Sequence, residues 1–216
     1  MKKTWVLLFA VALVMVGCSQ DGDLKVYNET SSYVSFTLNN GEEIELDYSE
    51  YFTKSWSLAS SIFGNEEKDI DVNYTGDYVF SDDTTVTVEA GKTKKLRIYP
   101  DAGIASIWNN SSNFYIEELY LSPSSSSNWG DNLIPYTSID PGETDDWKVS
   151  EGYWDVQLVD DWGDVFESYE NWISVDETTI FKYTGFKKAD HAAGGEKPSS
   201  TTNQTRNEGR IEHTNK

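Results

Sequence analysis

The sequence predicts an all-β protein made of two tandem antiparallel β-sandwich modules, on three observations. Apolar and polar residues alternate with a period of two in short runs that recur every 8–12 residues or so, and punctuating turns separate them. A short pattern is repeated at an interval of about 80 residues. Beyond the N-terminal apolar stretch, every Trp, Tyr and Phe lies between Tyr27 and Phe186, which marks the length of chain able to bury a core. No segment keeps a helical period over three turns; Ser57 to Phe63 reads as one short helical turn at most.

In the first module, Val34, Phe36 and Leu38 alternate with Tyr33, Ser35 and Thr37, which is the signature of a strand with one buried face. Asn39-Asn40-Gly41 follows, and Asn-Gly supplies the positive φ angles of a tight hairpin. Ile44 and Leu46 alternate back. Val86-Thr87-Val88-Glu89, a turn and Leu96-Arg97-Ile98-Tyr99 close the module. Lys92, Lys94 and Lys95 stand in or just before that closing strand, where lysines blunt an open sheet edge. Pro100-Asp101-Ala102-Gly103 is the joint. In the second module Trp154, Val156 and Leu158 share one face, Asp160-Asp161-Trp162-Gly163-Asp164 turns, and Val165 to Tyr169 returns.

The repeat pairs Lys25-Val26-Tyr27-Asn28-Glu29-Thr30-Ser31 with Ser106-Ile107-Trp108-Asn109-Asn110-Ser111-Ser112, 81 residues on. A second pair matches the closing strands of the two halves, Val86 to Tyr99 with Ile173 to Tyr183. The predicted divisions are therefore 1–17 as a signal segment, 18–22 as a short tether, 23–102 and 103–186 as the modules, and 187–216 as a tail. The modules are expected to be immunoglobulin-like in the broad sense of a two-sheet antiparallel sandwich. The tail has no aromatic residue and is rich in Ser, Thr, Asn, Gly and Lys, a composition that buries too little apolar area to offset chain entropy.

Met1-Lys2-Lys3 is basic, Trp5 to Val16 is apolar, and Val14-Met15-Val16-Gly17 leads into Cys18, the single cysteine of the chain. The apolar run is too short for a spanning helix, which needs about 20 residues. It suits the core of a secretory signal. With a cysteine directly after the cut, the segment resembles the lipobox of bacterial lipoproteins. That resemblance implies diacylglyceryl modification of the Cys18 thiol, cleavage before it, and acylation of the new N-terminus with palmitate-type chains. It also implies a cell-envelope location, and Ser19, where Asp is the usual inner-membrane retention signal, implies the outer membrane. Each buried methylene contributes about 0.8 kcal/mol, and more than one chain anchors stably.

Composition excludes more than it assigns. The chain carries a net charge of −20. Residues 18–186 hold 33 acidic and nine basic groups, a net of −24. Such a surface repels nucleic acid, whose binding rests on Lys and Arg neutralising phosphates, so the expected partners are the membrane, through the lipid, and an envelope protein or glycan. Residues 24–186 contain no histidine and no cysteine; His191 and His213 fall in the tail. Histidine-based nucleophilic sites, zinc sites and haem or iron–sulfur centres lack their side chains there. Arg97 is the one arginine in that span. A carboxylate pair for glycoside hydrolysis is the remaining enzymatic reading, and among 33 acids a pair at that spacing arises by accident. The expectation is a non-enzymatic protein without a required cofactor.

Two features suit binding. Of seven tryptophans after the signal segment, Trp108, Trp147 and Trp154 read as core, whereas Trp129 and Trp162 stand in Trp-Gly-Asp contexts that read as loops. With Asp131 and Asp164 beside them, they are candidate carbohydrate platforms: an indole stacks on the apolar face of a sugar ring while carboxylates accept its hydroxyls. Asp160, Asp161 and Asp164 crowd one turn and are the weak candidates for Ca²⁺, which takes six to eight oxygens. Asp140, Glu143, Asp145 and Asp146 crowd another turn, and Asp69, Asp71 and Asn73 alternate along one strand face. Leu119 to Pro123, Trp129-Gly130-Asp131-Asn132-Leu133, Ile139-Asp140-Pro141-Gly142-Glu143 and Gly152 to Asp160 together resemble a repeat of bacterial cell-surface proteins and lipoproteins. That likeness implies a small β-sandwich and brings no catalytic residue with it.

Overall fold

The computed structural model describes residues 18–61, 64–185 and 212–215. The predicted signal segment 1–17 and most of the predicted tail lie outside these. The chain divides into two compact units, Met1–Pro100 and Asp101–Lys216, and among the described residues it is all strand and turn.

In the first unit one sheet has the order β5-β4-β1-β8, from Cys18–Asn28 (β1), Tyr51–Ser61 (β4), Gly64–Asn65 (β5) and Thr93–Ile98 (β8). The other has the order β3-β2-β6-β7, from Val34–Leu38 (β2), Ile44–Leu46 (β3), Glu67–Gly76 (β6) and Val79–Glu89 (β7). The period-two pattern does what the sequence implies: Leu24, Val26, Leu58 and Ile98 of one sheet meet Val34, Phe36, Ile70, Val72, Val86 and Val88 of the other in one core.

The second unit repeats the plan. One sheet runs β11-β9-β14-β15, from Gly103–Asn109 (β9), Thr144–Val149 (β11), Thr178–Tyr183 (β14) and Glu212–Asn215 (β15). The other runs β10-β12-β13, from Ile116–Pro123 (β10), Gly152–Asp160 (β12) and Val165–Ile173 (β13). Ala105, Ile107 and Phe181 face Ile116, Leu119, Val156, Leu158 and Phe166 across the core. β9 passes so close to the backbone at Ser174 that a Cβ on Gly103 would lie 2.3 Å from that carbonyl oxygen, which reserves the position for glycine.

The all-β sandwich class holds, with one addition: the first strand of each unit has a parallel neighbour late in that unit, β1 with β8 and β9 with β14, within sheets that are otherwise antiparallel. Three local expectations are corrected. Residues 18–22 are not a tether: they are the first half of β1, with Cys18 opposite Ser60 and Gly22 opposite Trp56. Ser57 to Ser61 forms no helical turn, because it is the strand that receives those residues; Ile62 and Phe63 lie outside the described residues. Within the predicted tail, residues 212–215 form β15 against β14. The composition argument misses this strand because main-chain pairing at a sheet edge needs no apolar side chains. The expected hairpin after β2 turns on Asn39 (φ 51°) and Asn40 (φ 55°), with Gly41 donating back to the Leu38 carbonyl at 3.1 Å.

Candidate functional site

Each unit has one end built from the repeated motif. Asn28 is 1 % exposed, and its side-chain amide donates to the carbonyls of Ser32, Leu46 and Asp47 at 2.7, 3.1 and 3.1 Å. Its Oδ1 accepts from the Thr30 backbone and hydroxyl, both at 2.9 Å. Asn109 is likewise buried, donates to Phe114 and Ile139 carbonyls at 2.8 Å, and accepts from the Ser111 amide at 3.1 Å. These side chains satisfy loop carbonyls that would otherwise be orphaned. The repeat thus encodes an internal plug, and its Asn-x-Ser/Thr spacing is structural.

The motif has a second half, in a pair of segments that show little sequence likeness. Leu46-Asp47-Tyr48-Ser49-Glu50 and Ile139-Asp140-Pro141-Gly142-Glu143 form the same turn. In each, the glutamate amide donates to the aspartate carbonyl (3.1 and 3.0 Å) and the glutamate carboxylate accepts from the aspartate amide (3.1 and 3.3 Å). Ser49 (φ 61°) and Gly142 (φ 90°) hold the left-handed position. Asp140 and Glu143 are tied to each other in this way. A stacked pair recurs as well: Arg97 lies over Tyr27 at 4.6 Å, and Lys182 lies over Trp108 at 4.9 Å, each bridging the parallel strands.

At this end of the second unit sits the turn between β12 and β13. Asp160 is 3 % exposed; Oδ1 accepts from the amides of Trp162 (3.0 Å) and Asp164 (2.9 Å), and Oδ2 accepts from the Tyr183 hydroxyl (2.7 Å). Burial, then this bond, push the Tyr183 hydroxyl well above its ordinary pKa. Asp161 exchanges bonds with the next loop, its amide donating to the Tyr115 carbonyl (3.0 Å) and its Oδ1 accepting from the Tyr115 amide (3.2 Å). Trp162 is therefore carried on a firmly fixed turn, yet it is 77 % exposed. It stands perpendicular to Phe114 at 5.3 Å, and Phe114 in turn packs close over Gly185. Tyr115 is 43 % exposed. The arrangement is an accessible indole, a neighbouring phenol and the carboxylates of Asp161 and Asp164.

The predicted site residues are not brought together. Trp162 and Asp164 share this turn, but Trp129 is 1 % exposed and is no platform. The segment after β10 folds over the outer face of the β10-β12-β13 sheet, and Trp129 is packed there among Tyr120, Val159, Val165 and Tyr169. Its ring lies 5.7 Å from that of Tyr169. The segment is pinned to β10 by Asn132, whose side chain accepts from the Leu119 amide at 3.0 Å. Asp131, close in sequence to the buried indole, is exposed on the covering segment. Beneath the cover, Tyr120 donates to Glu118 and Tyr169 to Glu167, each at 2.7 Å, and burial pushes the Tyr120 hydroxyl up to about 12.

The candidate calcium ligands have protein partners. Both Asp160 oxygens are taken by protein donors, and Asp161 faces Tyr115. Among the described residues, no group of three or more His, Cys, Asp or Glu side chains is placed to hold a metal ion. Phe114 and Tyr115 were missed; their signal was an aromatic pair shortly after the Asn109 motif. Tyr153 and Trp172, 57 % and 44 % exposed, form a second surface pair with ring centres 4.9 Å apart. Cys18 is exposed at the start of β1.

No protein-family model matches the chain, and no curated protein matches it. Among solved structures it is similar to the Bacillus anthracis TIE protein, with 11 % identity and a TM-score of 0.31 over 77 % of this chain and 34 % of that one. It is also similar to a Bacteroides ovatus ATCC 8483 protein described as a "putative cell adhesion protein", with 7 % identity and a TM-score of 0.34 over 74 % and 91 %. A DUF3823 family protein of the same organism is similar at 11 % identity and a TM-score of 0.26 over 70 % and 97 %. Likeness at these values carries no functional argument, so function has to be read from this chain's own residues.

Proposed function

We propose that this is a non-enzymatic, lipid-anchored protein of the bacterial cell envelope, acting as an interaction module, with Cys18 as the acylated residue and the outer membrane as its location. Support for the anchor is the lipobox-like sequence together with an exposed Cys18 at the first residue of a paired strand. Support for a binding role is the 77 % exposed Trp162 on a turn held by internal hydrogen bonds. That is the observation that carries the reading, since a large exposed aromatic on a rigid mount offers contact area at little entropic cost. The buried carboxylates Asp155 and Asp160 are engaged by protein donors, which favours a structural role for them over catalysis.

The ligand reading that the same turn favours is a glycan. The indole offers a stacking surface, and Asp161 and Asp164 offer acceptors for sugar hydroxyls. A glycan array with the 18–216 chain tests this. Binding that is lost or strongly weakened in Trp162→Ala with unchanged melting supports it, and absence of binding to every glycan overturns it. Trp129→Ala is the contrasting variant, expected to lower stability by about 3–5 kcal/mol. Mass spectrometry of the mature protein is expected to find an acylated N-terminal Cys18; a bare, unmodified end overturns the anchor.

A further inference from the structure

The first unit carries its own counterpart of the Trp162 site, and we propose that it is a second glycan-binding site, making the chain bivalent toward one polymeric saccharide. This second site rests on the glycan reading of Trp162. Val34 of β2 pairs with Gly76 of β6, and Ile116 of β10 pairs with Asp160 of β12, so these four residues mark equivalent positions in the two units. The residue before β2 is Tyr33, and the residue before β10 is Tyr115. They are 45 % and 43 % exposed. The turn after Gly76 is Asp77-Tyr78, and the turn after Asp160 is Asp161-Trp162. Both turns thus present a carboxylate followed by an aromatic ring, beside a loop that presents a tyrosine.

The supporting bonds correspond as well. Asp161 is tied to its loop through Tyr115. Asp77 is tied to its loop through the Ser32 hydroxyl, which donates to Oδ2 at 2.6 Å. The Asp77 charge is also the main reason that the Tyr33 hydroxyl sits above its ordinary pKa, which places the carboxylate beside the phenol. The Asn28 and Asn109 plugs fix both loops from inside. Where the units differ, the difference is in strength: Trp162 is 77 % exposed, whereas Tyr78 is half-buried and smaller. The first site is expected to be the weaker one. An aromatic face beside a carboxylate suits a sugar ring, apolar on its face and hydroxylated at its rim, and a pair of such sites on one chain suits a ligand that repeats.

Joining two weak sites on one chain raises apparent affinity for a polymer by about 10²–10⁴ over either site alone. The test uses the 18–216 chain with immobilised yeast mannan, laminarin and dextran and, as competitors, the corresponding soluble hexasaccharides. Wild type is expected to prefer a polymer over its hexasaccharide by about 10²-fold or more. In Trp162→Ala the preference is expected to collapse toward unity with residual binding, and in Tyr33→Ala to fall by about tenfold or more with hexasaccharide binding retained at Trp162. Tyr33→Phe, which keeps the ring, is expected to retain the preference. If Trp162→Ala abolishes all binding while Tyr33→Ala matches wild type, the second site is refuted and the first stands. If wild type binds none of the three polymers, both this inference and the glycan reading fall.

Discussion

Asn28 and Asn109 show how one side chain can hold a loop that has no regular structure of its own. Each donates to main-chain carbonyls that strands leave over, and each is sealed from water. Asn28→Asp keeps the size and the acceptor but removes the donor, so the carbonyls of Ser32, Leu46 and Asp47 lose their partner and a charge is buried. The expected cost is about 3 kcal/mol or more, measured by urea unfolding. Tyr183 gives a prediction in pH. Its hydroxyl is held protonated in the fold by burial and by Asp160, above the value near 10 of an unfolded tyrosine. A group raised in this way contributes its full stability below about pH 10 and loses it as the pH climbs further, because the unfolded chain releases the proton first. The melting temperature of Tyr183→Phe is therefore expected to be lower than wild type at about pH 8, by the loss of one buried bond, and to fall less steeply between about pH 10 and 11. Sequence alone announced the Asn28 and Asn109 positions through the repeat but not their task, since only the structure brings residues 46 and 139 to them. It misplaced Trp129 because a Gly-Asp context marks a loop without saying whether that loop lies back on a sheet.

Among elements, β8 and β14, the parallel neighbours of β1 and β9, are treated differently. β8 stands at the edge of its sheet with Lys94 and Lys95 exposed along it, the lysine pattern that discourages further strands. β14 occupies the equivalent position in the second unit, has only Lys182, and accepts β15. Removing residues 212–216 is expected to speed hydrogen exchange at alternate amides of β14 while leaving β9 protected; equal exchange in both proteins would show that the pairing contributes nothing in solution. The alternation of Val34-Phe36-Leu38 and of Trp154-Val156-Leu158 was legible because one face of each strand is buried. The N-terminal half of β1 was not legible. Gln20, Asp21 and Gly22 carry no apolar signal, and their partners, Leu58, Ser57 and Trp56, stand in a Ser-rich stretch with no sustained alternation. The two misreadings were one, since each segment is a strand only because the other lies beside it.

For the whole molecule, each unit encloses its own core of aliphatic and aromatic side chains, Leu24 to Ile98 in one and Ala105 to Tyr183 in the other. Residues 18–100 and 101–216 expressed separately are each expected to unfold cooperatively; a molten first fragment would show that its core is insufficient alone. The all-β class was legible in the turn spacing, and the internal repeat pointed to two units. The parallel pairing was not legible, because residues about 70 apart in sequence give no local sign of lying side by side. That pairing has a mechanical meaning. Since β1 and β8, the opening and closing strands of the first unit, point the same way, the chain enters at one end of them and departs at the other. A pull applied between those points slides Asp23–Asn28 along Thr93–Ile98 and loads the whole ladder at once, whereas an antiparallel pair would peel open bond by bond. Force spectroscopy on the 18–216 chain is expected to record high rupture forces for such shear, and rupture at the low forces of unzipping would show that the ladder is not loaded in this direction.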